Sequence, residues 1–164
     1  MLAFVLAILI SHPAYALDIE RRRDGDWVVV TAVMSHSPGQ VNALLAKHGE
    51  TMKLGKGVRS VETQPLSDGC AHLTVRNRGF ARDLSYTAER CPIENGWHSR
   101  MLHSDDFEEH EVVWSTVSEG SGSRTTIRVK VKLRVPVPDF LVQQFVGGAL
   151  EGTLAKIDAR LGGG

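Results

Sequence analysis

The densest group of reactive side chains in this 164-residue sequence is His103-Ser104-Asp105-Asp106-Phe107-Glu108-Glu109-His110-Glu111, two histidines and five carboxylates in nine residues. Such residues can hold a divalent cation, but the ligands must converge on one point at about 2.0 to 2.6 Å. A run that joins two strands splays its carboxylates into solvent instead, so no metal is assigned. The chain has no His-Glu-x-x-His, no second cysteine pair and no Gly-x-Ser-x-Gly elbow, and Gly55-Lys56-Gly57 lacks the rest of a phosphate-binding loop. Cys70 and Cys91 lose any nucleophilic role on forming a disulfide. His36, beside Ser35 and Ser37, fits helix capping better than proton transfer. Acid-base chemistry survives only if one of Arg78, Asp83, His98, Arg100 or His103 projects into an interior, and most of these are more simply outward-facing strand residues. No catalytic residue and no cofactor are assigned.

The chain around these residues reads as one globular domain, with 42% hydrophobic and 23% charged residues. Its 19 Lys+Arg balance 19 Asp+Glu, which leaves no overall positive field for a phosphate backbone, so no nucleic-acid partner is expected. Met1 to Ile10 is unbroken apolar sequence, followed by Ser11-His12-Pro13 and the small-x-small site Ala14-Tyr15-Ala16. Although no Lys or Arg precedes the apolar run, residues 1–16 read as a secretory signal peptide, a buried N-terminal element being the alternative. The mature chain is then a single domain over 17–164, periplasmic or secreted.

Export changes the meaning of the two cysteines, because in an oxidising compartment they are expected to pair. Residues 70–78 and 83–91 read as the two strands of a hairpin joined by Gly79-Phe80-Ala81-Arg82. Facing Cys70 with Cys91 aligns His72 with Glu89, Thr74 with Thr87, Arg76 with Ser85 and Arg78 with Asp83 on one face. Ala71, Leu73 and Val75 then meet Ala88 and Tyr86 on the other. That register predicts a Cys70–Cys91 disulfide.

Trp27–Met34 is apolar and β-branched and reads as a first strand. Ser37-Pro38 then starts a short amphipathic helix carrying Val41, Leu44 and Leu45. Val58–Pro65, Trp97–His103 and Glu111–Val117 read as further strands. In Arg124–Leu133, Ile127, Val129, Val131 and Leu133 alternate with charged residues. After Pro136 and Pro138 the period changes: Leu141, Phe145, Val146, Ala149, Leu150, Leu154, Ile157 and Leu161 predict a long C-terminal helix with its apolar stripe on a sheet. Gly147, Gly148 and Gly152 in that helix imply close packing or room for a ligand.

This order of elements, with Val135-Pro136-Val137-Pro138-Asp139-Phe140-Leu141-Val142 leading into the last helix, resembles the START-like helix-grip (SRPBCC) superfamily of polyketide cyclase/dehydrase-like and lipid-transport proteins. The resemblance spans about Asp26 to Leu161, but Lys47-His48-Gly49-Glu50 is polar where relatives carry a Trp- or Pro-bearing stretch. It implies an α+β fold in which a curved antiparallel sheet grips the long helix around an apolar cavity. Geometry points the same way, since one helix cannot fill the concave face of a strongly curved sheet. Tyr86, Trp97, Met101, Trp114, Phe145 and Ala149 are the expected cavity residues, with solid packing as the alternative.

Three functions fit. The first is a monomer that binds, and carries unchanged, a hydrophobic small molecule such as a lipid or polyisoprenoid, with transient membrane contact. The second is an exported cyclase- or dehydratase-like enzyme using the same cavity. The third is a protein-interaction module.

Overall fold

The computed structural model describes residues 17–79 and 81–163, so the segment read as a signal peptide lies outside the described residues. In chain order the elements are β1 (Asp18–Asp24), β2 (Trp27–Met34), α1 (Pro38–Leu45), α2 (His48–Lys53), β3 (Val58–Pro65), β4 (Ala71–Arg78), β5 (Asp83–Ile93), β6 (Gly96–His103), β7 (Phe107–Glu119), β8 (Gly122–Leu133) and α3 (Asp139–Gly162). The strands form one antiparallel, curved sheet in the order β1-β2-β8-β7-β6-β5-β4-β3, and the long helix α3 packs across it.

The local chemistry of the sequence accounts for most of these boundaries. Ser37 caps α1 through a reciprocal pair of bonds with Gln40, Pro38 occupies the first turn, and Val41, Leu44 and Leu45 are its buried face. His36, read as a capping residue, instead points its Nε2 at Asp158 of α3, 3.4 Å away. The β4–β5 hairpin has the expected register throughout, from His72 opposite Glu89 to Arg78 opposite Asp83. The Cys70–Cys91 disulfide closes it.

Three features differ from expectation. A strand, β1, precedes Trp27–Met34. Its sequence DIERRRD has no apolar alternation, and every residue but Ile19 is exposed, so it is a charged edge strand held by pairing with β2. The helical segment after β2 is in two pieces. The strand expected at Glu111–Val117 begins at Phe107, so the second half of the acidic run lies inside β7, paired with β8, and is not a splayed connection.

The core is in two parts. One gathers Val28, Val30, Ala32, Ile127, Val129 and Trp114 of the sheet with Val41, Leu44 and Leu45 of α1 and Leu154 and Ile157 of α3. The other gathers Ala71, Leu73, Val75, Tyr86, Ala88 and Phe107 around the β4–β5 hairpin. The apolar stripe expected along all of α3 is buried only in its second half. Leu154 and Ile157 are fully buried, while Phe140 and Phe145 keep 66% and 52% of their surface exposed. A straight helix cannot follow a concave sheet over its whole length. One of the three helix glycines, Gly147, is explained by close approach, but to a charged residue: a Cβ there would lie 2.7 Å from the Arg21 guanidinium of β1, which is paired with Glu151.

Candidate functional site

Between the first half of α3 and the inner face of the sheet lies a cavity of about 190 Å³. Strand pairing builds its floor. Arg90, Ser99, Val112 and Val129 stand opposite one another across β5, β6, β7 and β8 and so share one face. Trp114 and Ile127 lie one row toward α1, and His110 and Val131 one row the other way. Val142, Phe145, Val146, Ala149 and Thr153 of α3 form the roof, Thr51 and Met52 of α2 one wall, and the exposed Lys56 and Arg78 also belong to the lining.

Most polar groups on this wall are already engaged. Thr51 Oγ1 donates to the Leu44 carbonyl at 2.7 Å, and Thr153 Oγ1 donates to the Ala149 carbonyl at 2.8 Å. Tyr86 is buried, which raises its hydroxyl pKa and keeps it protonated. Two side chains are different. Arg90 is completely buried; its Nη1 donates to the Leu45 carbonyl and lies 2.7 Å from His48 Nδ1, and its guanidinium sits 4.7 Å from the centre of the Trp97 ring. Its Nε and Nη2 have no hydrogen-bond partner among the described residues. Burial pulls its pKa down to about 10, so it remains a cation at neutral pH. Burial, and then the Arg90 charge, also lower the pKa of His48.

His110 stacks on Tyr86 at 4.1 Å and meets Phe107 edge-on at 5.4 Å. Its Nδ1 is buried with no partner among the described residues, and burial pushes its pKa down to about 4, so the imidazole is neutral at physiological pH. It keeps some surface, and it is on the cavity wall.

Of the six expected cavity residues, Tyr86, Trp114, Phe145 and Ala149 border the space, and Trp97 and Met101 do not. Trp97 shares the inner face but is covered by Arg90 and touches His48 edge-on at 4.9 Å. Met101 packs into the hairpin core, beyond the point where β6 and β7 stop pairing. The residues weighed for acid-base work do not enter the interior. His98 is bonded to Glu111 at 2.6 Å, His103 and Arg100 are exposed, Asp83 pairs with Arg59, and Arg78, part of the cavity lining, is exposed. The acidic run is dispersed: Asp106 is buried against Arg82 and the Ser85 amide, Glu108 and Glu109 pair with Lys132 and Lys130, and of its titratable side chains only His110 borders the cavity, beside Phe107.

Arg90 and His110 are thus the buried titratable side chains on this wall that the sequence analysis does not single out, and strand alternation marks both. Arg90 follows Tyr86 and Ala88 at spacing two, and His110 precedes Val112 and Trp114 at spacing two.

No family model matches the chain, and no curated protein does. Solved structures do. A START superfamily protein from Mycobacterium smegmatis superposes with TM-score 0.70 at 19% identity, over 82% of this chain and 96% of that one. The ZhuI aromatase/cyclase from Streptomyces sp. R1128 gives 0.65 at 13%, over 87% and 93%. A fragment of a STAR-related lipid transfer protein from Xanthomonas axonopodis gives 0.63 at 14%, over 92% and 96%. At these identities the likeness is one of fold: the chain has the START-like helix-grip fold.

Proposed function

We propose that this protein binds a hydrophobic small molecule in the cavity beneath α3 and carries it unchanged, outside the cytoplasm. The observation that carries the reading is the unfilled apolar space itself, bordered by Tyr86, Trp114, Phe145 and Ala149 and lying between two separate cores. Apolar cavities of about 150 Å³ stay dry and take up benzene-sized ligands, so 190 Å³ suits a small apolar body. A lipid or polyisoprenoid tail would run out through the opening. The exposed Phe140, Leu141 and Phe145 at the start of α3, the last of them on the cavity wall, are the surface we assign to transient contact with a lipid surface. The Cys70–Cys91 disulfide and the signal-like residues 1–16 support an exported protein.

A second reading, an enzyme acting on a ligand in the same space, draws on the neutral His110 of the wall and on the aromatase/cyclase among the structural neighbours. Native mass spectrometry of exported protein offered a panel of lipids separates these. Binding predicts a one-to-one adduct of unchanged mass that is lost in Ala149→Trp, where an indole fills the space. A product of altered mass favours the enzyme, and a protein that stays unliganded with every lipid refutes both.

A further inference from the structure

Two polar atoms on the wall of this apolar cavity are accessible and unused. Ser99 stands inside the eight-stranded sheet, on β6, with Arg90 of β5 on one side and Val112 of β7 on the other, and it keeps 4% of its surface. Its Oγ has no hydrogen-bond partner among the described residues, yet it is not one of the unpartnered atoms sealed from solvent. A side chain flanked by strands on both sides reaches open space through the face it points to, and Ser99 borders the cavity. The surface it keeps therefore includes the hydroxyl and faces the cavity.

His110 repeats the pattern nearby. Ser99 is opposite Val112, and His110 lies two positions before Val112 on the same face, so it is the diagonal neighbour of Ser99, with Cα atoms about 7 to 8 Å apart. Its Nδ1 is sealed and its Nε2 is not, and no hydrogen bond reaches either among the described residues. Burial keeps the ring neutral, yet the residue retains accessible surface, as a side chain does that looks into an enclosed space. The other polar groups of the wall differ. The Thr51 and Thr153 hydroxyls are spent on backbone carbonyls, the Tyr86 hydroxyl interacts with Asn77, and Nε and Nη2 of Arg90 are sealed.

A hydroxyl both donates and accepts, so one such group on a ligand satisfies both atoms whichever tautomer His110 takes. It donates to Nε2 and accepts from Ser99, or the reverse. A carbonyl oxygen can only accept, and a carboxylate would lose its hydration against a wall whose guanidinium edge is out of reach.

We infer that the cavity takes a neutral apolar molecule bearing a hydroxyl, which Ser99 Oγ and His110 Nε2 hold while Val112, Trp114, Val129 and Ala149 pack its body. This rests on the binding function proposed above and adds the chemical class of the ligand.

The test titrates phenol and toluene into the folded protein at neutral pH, followed by calorimetry. The two probes differ by a hydroxyl in place of a methyl, and both are of the size that a cavity of about 190 Å³ admits. A wall of hydrocarbon alone rejects the hydroxyl by about tenfold or more, whereas here phenol is expected to bind at least as tightly as toluene. In nitrogen NMR the Nε2 resonance of His110 should move much further with phenol than with toluene. Ser99→Ala and His110→Phe, made singly, should each lower the phenol-to-toluene affinity ratio by about threefold or more, with the toluene titration of the same variant reporting that its cavity is intact. Toluene bound and phenol rejected by the native protein overturns the hydroxyl assignment and leaves apolar binding standing. An affinity ratio unchanged in the variants, or an Nε2 resonance that ignores phenol, also overturns it. Failure of both probes to bind the native protein refutes the cavity function and this inference with it.

Discussion

His110→Phe should flatten the acid limb of the stability curve. In the folded chain the imidazole is stacked on Tyr86 inside the cavity wall, with a pKa near 4 against an ordinary 6.5. The unfolded chain therefore takes up a proton first as the pH falls. The stability this residue permits is full above about pH 6.5 and is lost progressively down to about pH 4. Depression from 6.5 to about 4 corresponds to about 3 kcal/mol, and about 2 kcal/mol of it disappears between pH 7 and pH 5. Phenylalanine keeps the ring against Tyr86 and Phe107 and removes both the proton site and the unpartnered Nδ1. At pH 7 the variant should be at least as stable as the native protein; at pH 5 it should be more stable by about 2 kcal/mol. Urea unfolding of both proteins at the two pH values measures this directly. Parallel losses in the two proteins would show that His110 is not held neutral in the folded state, and the account of the cavity wall would fall.

Breaking the hairpin bond with Cys70→Ser and Cys91→Ser together should cost about 3 kcal/mol, since the bond spans 21 residues of chain. Chemical denaturation measures the loss, and intact mass should rise by two hydrogens when the native protein is reduced. The helix glycines should respond differently in thermal unfolding. Gly152→Ala places a methyl where nothing lies within 4 Å and should gain up to about 1 kcal/mol, whereas Gly147→Ala must first push Arg21 away from Glu151 and should gain less or lose.

What was readable from the sequence is what strand alternation and helix capping specify locally. The β4–β5 register followed from one assumption, opposed sulfurs, because shifting it by a residue would have turned Leu73 and Val75 out to water. β8 and the capping of α1 followed from equally local signals. β1 did not, because an edge strand with one partly buried residue is specified by its partner β2 and not by its own pattern. The cavity residues were legible where an aromatic or small residue sat on an inner face, as at Tyr86, Trp114 and Ala149. Trp97 also has the right parity, but parity says nothing of what lies above a residue, and the Arg90 side chain covers it. Arg90 and His110 carry the same spacing signal as their apolar neighbours, but a charged or titratable side chain more often faces water, so spacing alone does not mark them as inward.

The two-part core also locates the part of the molecule that can yield to a ligand. The second half of α3 is fixed by Leu154 and Ile157 against β2 and α1, and the hairpin core is held by its own side chains and by the disulfide. Neither depends on the first turns of α3, where Phe140, Leu141 and Phe145 are exposed and Val142 and Ala149 face open space. An element that buries little apolar surface opens at low free-energy cost. Displacing those turns would therefore uncover the cavity without unpairing a strand, and the floor that carries Arg90 would remain in register. Under the proposed binding function, the sheet would be the rigid surface and the start of α3 the way in.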